Sequence, residues 1–185
     1  EKMNLDIKVE EAPTGALSFG VGYSSIDKIV GTASISDRNL FGLGYYGLLK
    51  FRLGSLTRDF KLSFTDPYFL GYPYSAGFDL YNERREFDTY SYKISGGDIR
   101  FGKELTEKIR ADSMYKLENV NVYDVTDDAS TFIKEQQGKR TTSALSFTLS
   151  MDTRDDFYVP TRGARHSLSV QNAGGILGGD NYFVK

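Results

Sequence analysis

The sequence has no cysteine and no tryptophan, and its 185 residues include only one histidine and four prolines. Without cysteine, the chain can form neither disulfides nor thiolate metal sites. The single histidine, His166, cannot by itself build a histidine-based zinc site. No run of about 18 apolar residues occurs, so the sequence predicts no transmembrane helix; membrane-crossing β-strands would leave a weaker, alternating signal.

The charge and the polar motifs also exclude several functions. A net charge of -2 gives no bulk attraction to nucleic acid. The chain shows no Ser-His-Asp order and no paired catalytic carboxylates, so we expect no enzyme, no cofactor, no metal and no small-molecule substrate. The segment 42–47 matches GxGxxG, but a period-two segment follows it where a phosphate-binding loop needs a helix. Three carboxylates, Asp152, Asp155 and Asp156, lack calcium-loop spacing and are interpreted as a charged turn, and His166 is interpreted as a rim residue.

Glycine, tyrosine and phenylalanine are abundant instead, with 19, 13 and 13 residues. Bulky apolar residues alternate with small or polar ones along most of the chain, as at Leu145, Phe147, Leu149 and Met151. This pattern predicts an antiparallel meander of nine strands and the start of a tenth. The predicted strands cover 16–25, 29–36, 45–54, 60–65, 74–82, 89–101, 109–123, 143–151, the segment around 168–171, and a start at 181–185.

The sixth predicted strand is irregular. Tyr92 and Ile94 share one parity, whereas Ile99 and Phe101 have the other. A β-bulge near Gly96–Gly97 would place all four side chains on one face. The connections near residues 37, 66, 102 and 152 are expected at one end of the sheet. Those near residues 54, 83, 124 and 172 are expected at the other end, which would carry the longest and most polar loop.

The charged residues suggest which face meets which solvent. Eight of them lie opposite the bulky apolar side chains: Lys50, Arg52, Lys61, Asp79, Arg110, Asp112, Lys116 and Glu118. A cation that faces lipid at mid-depth costs about 2–4 kcal/mol, and this cost disappears if these residues face a hydrated lumen. Aromatic residues suit the girdles of such a barrel. A soluble ligand-binding barrel would invert the two faces, and alternation alone leaves both possibilities open.

The first residues have a different character. Residues 1–11 alternate apolar side chains with a fully charged face, which is typical of a half-buried strand in a soluble domain. Residues 12–185 have the barrel pattern. We therefore predict two parts, a final strand of a soluble domain at 1–11 and the N-terminal part of a barrel at 12–185, and we suspect that the chain is cut from something longer.

Four motifs in sequence order resemble one family. LDIKVEEAPTGALSFGVGYSS, DRNLFGLGY, FTDPYFLG and DTRDDFYVPTRGAR resemble the junction and the periplasmic turns of the BamA family of outer-membrane protein assembly factors. The junction joins the last soluble POTRA domain to the first barrel strand. The resemblance covers nearly the whole chain and implies an all-β, antiparallel, up-and-down transmembrane β-barrel, present here in part, with about nine strands.

The resemblance also implies functional residues. The first barrel strand of the family is a lateral gate whose edge templates an incoming substrate strand, and it corresponds here to Gly15, Leu17, Phe19, Gly20, Val21, Gly22 and Tyr23. Gly20 and Gly22 would keep that strand easy to distort. The turn-motif residues are Asp37, Asn39, Gly42, Gly44, Asp66, Pro67, Tyr68, Phe69, Asp152, Arg154, Pro160 and Gly163.

The implied location is the outer membrane of a Gram-negative bacterium, with the short turns in the periplasm. The implied partners are outer-membrane lipids, nascent β-barrel proteins and periplasmic accessory lipoproteins. Only the front part of such a barrel matches, so the chain would be a piece of a larger barrel, close on itself or pair with another chain. The alternatives are a related outer-membrane secretion channel or pore, and a self-contained small structural barrel.

Overall fold

In the part of the chain that the structure describes, ten antiparallel strands form one sheet in which each strand pairs with its neighbours in sequence, from β1 to β10. The structure is a computed structural model, and it describes residues 8, 12–25, 27–156 and 158–185. The strands are β1 Gly15–Ser24, β2 Lys28–Leu40, β3 Tyr45–Leu53, β4 Thr57–Asp66, β5 Tyr74–Glu86, β6 Ser91–Thr106, β7 Ile109–Tyr123, β8 Gly138–Asp152, β9 Arg165–Ala173 and β10 Phe183–Val184. This meander confirms the predicted strand order. β1 does not pair with β10, so the sheet is open.

The register places the bulky apolar side chains of neighbouring strands on one face, here called the apolar face. Leu62 lies opposite Leu49 on one side and Leu80 on the other, and Phe64 pairs with Phe78. The rings of Phe64 and Phe78 are stacked, with centroids 5.8 Å apart. Such cross-strand pairs stabilise a sheet, and here they form a continuous apolar band from β1 to β9.

No large side chain of the described residues is sequestered in a dry interior. The buried hydrophobic residues are four alanines and one valine: Ala76, Val122, Ala129, Ala144 and Ala173. By contrast, Leu17, Phe19 and Phe147 are 65%, 76% and 53% exposed. A soluble domain of this size would bury such residues. The apolar band is therefore an outer surface, as expected for a wall that meets lipid.

The opposite face, here called the polar face, carries the charged residues that were predicted to lie there. Asp79 is 5% exposed and accepts contacts from two cations, at 2.9 Å from Lys61 Nζ and 2.7 Å from Arg100 Nη2. Further along, the Tyr81 hydroxyl donates to Glu118 at 2.7 Å. The ion pairs of Asp79 join β4, β5 and β6, and the hydrogen bond of Tyr81 joins β5 to β7, on the side away from the apolar band.

The predicted bulge at Gly96–Gly97 is wrong. The pairing runs without a shift from Tyr81 opposite Gly96 to Leu80 opposite Gly97. The alternation is kept because Tyr92 points to the polar face, where its hydroxyl donates to Glu83 at 2.8 Å. Instead, the two glycines leave room for the backbones of the neighbouring strands. A Cβ on Gly97 would lie 2.8 Å from the backbone oxygen of Asp79.

Several boundaries also differ from the predicted ones. β2 continues to Leu40 through a register shift after Asp37, and β6 and β7 extend until only residues 107–108 separate them. The polar loop before β8 contains a short helix, α1 Thr131–Glu135, which the alternation could not reveal. Two 3-10 turns occur, at Phe69–Gly71 and Gly175–Leu177. Within the described ranges, no helix is long and apolar enough to cross a membrane.

The prediction for residues 1–11 cannot be compared with these strands, because all of that segment except Lys8 lies outside the described residues.

Candidate strand-pairing edge and turn motifs

β1 is one edge of the sheet, and among the described residues it pairs with β2 alone, from Gly15 opposite Asp37 to Ser24 opposite Lys28. Every residue from Gly15 to Tyr23 is exposed. The apolar members point outward with the rest of the apolar face, and Val21 and Tyr23 are 83% and 76% exposed. All seven predicted gate residues therefore lie in one strand at the edge of the sheet.

The alternation of backbone hydrogen bonds across the sheet shows which N–H and C=O groups of β1 are unpaired. The N–H of Gly54 donates to Thr57 O at 2.7 Å, so even-numbered residues of β3 bond to β4. Successive residues of an antiparallel strand bond to alternate neighbours, so the odd-numbered residues of β3 bond to β2. In β2 these partners are also odd-numbered, which leaves the even-numbered residues of β2 to bond to β1. The even-numbered residues of β1 then bond to β2. The free N–H and C=O groups belong to the odd-numbered residues: Gly15, Leu17, Phe19, Val21 and Tyr23.

An independent contact agrees with this assignment. The Thr32 hydroxyl donates to the carbonyl oxygen of Gly20 at 3.3 Å, which requires that carbonyl to point toward β2. Gly20 and Gly22 are thus on the bonded side of β1. Their surroundings differ, because a Cβ on Gly20 would lie 2.8 Å from Thr32 Oγ1, whereas a Cβ on Gly22 would meet no atom within 4 Å.

β1 lacks the ionic contacts that hold the middle of the sheet. Its polar face consists of alanine, serine and glycine, and among the described residues no ion pair joins β1 to β2. Among the described residues, β1 and β2 are joined by the backbone ladder, by apolar pairs such as Leu17 with Ile35, and by the contact from Thr32. β1 is therefore the least cross-linked of the long strands, and local opening is easiest where such contacts are few.

The other edge is incomplete. β10 has two residues, Phe183 and Val184, which pair with Ala173 and Asn172. One further backbone pair follows, with Gln171 and Lys185 each donating to the other at 3.0 and 2.9 Å. β9 from Arg165 to Val170 has no partner on this side among the described residues.

The same type of hydrogen bond occurs in all three predicted turn motifs. In each, an aspartate at the end of a strand or at its final register shift accepts the backbone N–H of the residue two positions later, which is a local Asx-type turn. Asp37 accepts from Asn39 at 2.8 Å, and Asp66 accepts from Tyr68 at 2.8 Å. Asp152 accepts from the Arg154 N–H at 3.1 Å and from the Arg154 side chain. All three motifs lie at the same end of the sheet, as predicted.

The first two motifs are closed by glycine and aromatic residues. The Asn39 side chain accepts the N–H of Gly44 at 2.7 Å, and Gly42 and Gly44 have φ of 74° and 72°. β3 starts at the next residue, so the GxGxxG match is a turn that leads into a strand, as predicted. In the second motif Pro67 leads into the 3-10 turn, and the ring of Phe69 packs 6.3 Å from that of Phe101.

The third motif is a loop over residues 153–164, folded around one carboxylate. Asp155 accepts the N–H groups of Thr161 and Arg162, at 2.9 and 3.0 Å, and the Thr161 hydroxyl. These bonds, that of the Thr161 hydroxyl first, lower the pKa of Asp155 well below its usual range. Asp156 accepts two further N–H groups, which also lowers its pKa. The carboxylates thus organise the turn.

Gly163 and Pro160 stand at the return of this loop toward β9. Gly163 has φ of 87°, and a Cβ there would lie 2.1 Å from the backbone oxygen of Thr153. Only glycine fits such a close approach in this conformation. Pro160 is exposed. His166 is the second residue of β9 and lies on the apolar face, opposite Met151, at the edge of the apolar band.

One contact joins the free edge to the turn motifs. The Thr14 hydroxyl, one residue before β1, donates to Asp37 at 2.6 Å. The sequence analysis did not single out Thr14, and only the pairing of Gly15 with Asp37 brings it there.

Comparisons with known proteins agree with this architecture. Residues 39–185 match the Omp85 superfamily domain. The chain is 36% identical over 185 residues to an outer membrane protein assembly factor BamA from Nitratidesulfovibrio vulgaris, covering all of this chain and 23% of that protein. It is 29% identical over 188 residues to BamA from Neorickettsia risticii, covering 25% of that protein. The chain thus spans about a quarter of the length of these curated relatives.

A solved structure supports the fold. The crystal structure of BamA from Haemophilus ducreyi lacking POTRA domains 1–3 matches with a TM-score of 0.65 at 20% identity, over 89% of this chain and 35% of that one. This likeness confirms the predicted partial transmembrane β-barrel. The chain is therefore a segment of a Gram-negative outer-membrane β-barrel, and it belongs to the Omp85 superfamily as a member of the BamA family.

Proposed function

We propose that this segment takes part in the folding and insertion of β-barrel proteins into the outer membrane, by templating an incoming strand at β1. The observation that carries the proposal is the free backbone row of Leu17, Phe19 and Val21, on a strand for which the described residues show no ionic cross-link. An exposed strand edge pairs readily with another strand. The names of the relatives support the same activity.

The mechanism is non-enzymatic. A substrate strand forms hydrogen bonds with the odd-numbered residues of β1, and each bond removes an unpaired group from a medium where it costs several kcal/mol. The weak attachment of β1 lets the edge move to accept the strand. The seven gate residues take this role, Gly20 and Gly22 as positions where β1 bends. The lipid around the apolar band can be thinned locally as an aid.

The proposed partners are nascent β-barrel proteins at the edge, outer-membrane lipids at the apolar face, and periplasmic accessory lipoproteins. We propose no nucleic-acid or small-molecule partner. The end that carries the turn motifs faces the periplasm, and those motifs fix the strand ends there. We also propose that residues 1–11 belong to the end of a soluble POTRA-type domain, and that the segment works as part of a larger barrel, which supplies partners for both edges.

Proline substitution at a free-edge amide tests the templating directly. Val21→Pro removes one outward N–H but leaves the even-numbered bonds to β2, and proline is tolerated on an edge strand with its N–H side unpaired. Val21→Ala keeps the N–H and is the matched control. In the intact protein, reconstituted with a radiolabelled barrel substrate, we expect Val21→Pro to slow insertion at least tenfold and Val21→Ala to have little effect.

Equal insertion rates for the two variants would contradict templating at β1. Gly22→Val should also slow insertion, because a β-branched residue stiffens the strand without a clash. Ion conductance in planar bilayers with no insertion activity would instead favour the secretion-channel alternative, which the charged polar face also suits.

A further inference from the structure

Three cations form a row across adjacent strands on the apolar face. Arg58 on β4 lies directly opposite Arg84 on β5, and Arg84 lies directly opposite Lys93 on β6. The row, here called the cationic row, lies beyond the apolar band at the end opposite the turn motifs. Side chains directly opposite each other are about 5 Å apart, and like charges in such pairs are destabilising. Something must offset this repulsion.

The protein offsets it only in part. Glu86 contacts Arg84 at 2.9 Å. Within the described residues, Arg58 and Lys93 have no carboxylate partner, and both are exposed. Three cations and one carboxylate leave an excess positive charge of two, which suits an external anion.

The row also lines a shallow cavity of about 340 Å³, formed by Arg58, Asn82, Arg84, Lys93, Asn121 and Tyr123. The guanidinium of Arg84 lies over the Tyr123 ring, 5.9 Å from its centroid. On the side of the apolar band, the Asn82 amide donates to Ser95 at 2.7 Å. A narrow polar belt therefore separates the cations from Leu80 and Leu117, as the surface of a bilayer separates headgroups from acyl chains.

We propose that the cationic row binds the phosphate groups of a membrane lipid headgroup in one leaflet. The occupant is a lipid, because the row continues the same face that meets acyl chains. Phosphate is the anion that suits it, since two guanidiniums and an ammonium offer several convergent donors. At the turn-motif end, the charges of this face are mixed, with Asp66 two strands from Lys103. The two membrane surfaces are therefore not equivalent.

Lipid A is the probe of choice, because it is the phosphorylated glycolipid of the outer leaflet in Gram-negative outer membranes. Native mass spectrometry of the intact protein in detergent would measure its binding. The test variant carries Arg58→Gln, Arg84→Gln and Lys93→Gln. The control variant carries Lys103→Gln, Lys108→Gln and Arg162→Gln, which removes the same charge at the other end. Circular dichroism and heat-modifiability establish that each variant is folded.

We expect each lost cation to weaken lipid A binding roughly fivefold, and all three to weaken it roughly a hundredfold. The control variant should bind as the unmodified protein does. Dephosphorylated lipid A should bind the unmodified protein no more tightly than lipid A binds the test variant. If the triple variant does not fold, the single change Lys93→Gln at an exposed position gives the same test with a roughly fivefold loss.

Undiminished lipid A binding by the folded variants would overturn the proposal, as would equal binding of phosphorylated and dephosphorylated lipid A. Inorganic phosphate distinguishes a lipid site from a simple anion site. If it displaces lipid A at comparable concentrations, the row binds free anions and the lipid occupant is excluded. Displacement only at far higher concentrations supports the lipid.

Discussion

The Thr32 hydroxyl lies 3.3 Å from the carbonyl oxygen of Gly20, and it also occupies the place that a Cβ on Gly20 would approach to 2.8 Å. This contact is the one side-chain hydrogen bond that the described residues provide between β1 and β2. The absence of a side chain at Gly20 thus permits one of the few attachments of the edge strand.

Alanine substitutions at the two glycines of β1 should have opposite effects. Gly22→Ala meets no atom and reduces the freedom of the unfolded chain, so it should raise the local stability of β1 by up to about 1 kcal/mol. Gly20→Ala displaces the Thr32 hydroxyl and should lower it by about 1 kcal/mol. Hydrogen exchange of the even-numbered β1 amides measures both. The double variant Gly20→Ala/Thr32→Ala removes the clash and should restore part of the protection; equal slowing by both single variants would contradict this account.

Removal of the Asp79 charge should weaken the polar face. Asp79→Asn leaves Lys61 and Arg100 without their shared carboxylate, which was 5% exposed. Both cations are partly solvated, so we expect a loss of about 1–3 kcal/mol in the free energy of unfolding, measured by urea denaturation in detergent or vesicles. Glu104→Gln is the matched control, because Glu104 is exposed and 3.8 Å from Arg110, and it should change stability by less than about 0.5 kcal/mol. Similar losses for both would show that burial of Asp79 does not matter.

Gly163→Ala should disrupt the loop over residues 153–164. The substitution combines a left-handed backbone with a Cβ that would meet Thr153 O, so β9 must shift or the loop must open. We expect this loop to become sensitive to limited proteolysis in the folded barrel. Gly42→Ala is the control, since Gly42 has φ of 74° but open space, and its cost should stay near 1 kcal/mol without new cleavage in the 153–164 loop.

The same loop should resist acid until low pH. Because its hydrogen bonds lower the pKa of Asp155 in the folded state, the stabilisation is present above the ordinary aspartate pKa of about 3.9 and is lost as pH falls through the lowered folded value. The amide NMR signals of Thr161 and Arg162 should therefore stay in place from pH 7 to 4 and move only below that. Asp155→Asn, which cannot ionise, should show displaced signals at every pH and no such transition. Movement of the unmodified signals between pH 6 and 5 would contradict the assignment.

Strand order and the separation of apolar from charged side chains onto two faces were predictable, because both kinds of side chain recur at every second position. Leu62 and Phe147 alternate with polar residues, and Lys61 and Asp79 lie on the opposite parity. The Gly96–Gly97 prediction failed because it assumed that Tyr92 and Ile94 lie on the same face as Ile99 and Phe101. Tyr92 faces inward, since Glu83 accepts its hydroxyl.

Features that depend on register could not be predicted from the sequence. Arg58, Arg84 and Lys93 are far apart in the chain, and only the pairing of three strands makes them one row. The motif aspartates were found as a family signature, but their shared bond to the amide two residues later required coordinates. The short helix α1 has one turn and no lasting periodicity, so its Ser130 cap was its only signal.

On β1, the residues whose amides are free are the same residues whose side chains face outward, because both properties repeat every second position. An incoming strand that extends the sheet here must therefore adopt one register. Its residues that form hydrogen bonds with Leu17, Phe19 and Val21 also point their side chains toward the lipid. If the incoming strand is shifted by one position, its apolar side chains face water. The edge can thus reject a wrongly phased strand without recognising any particular side chain.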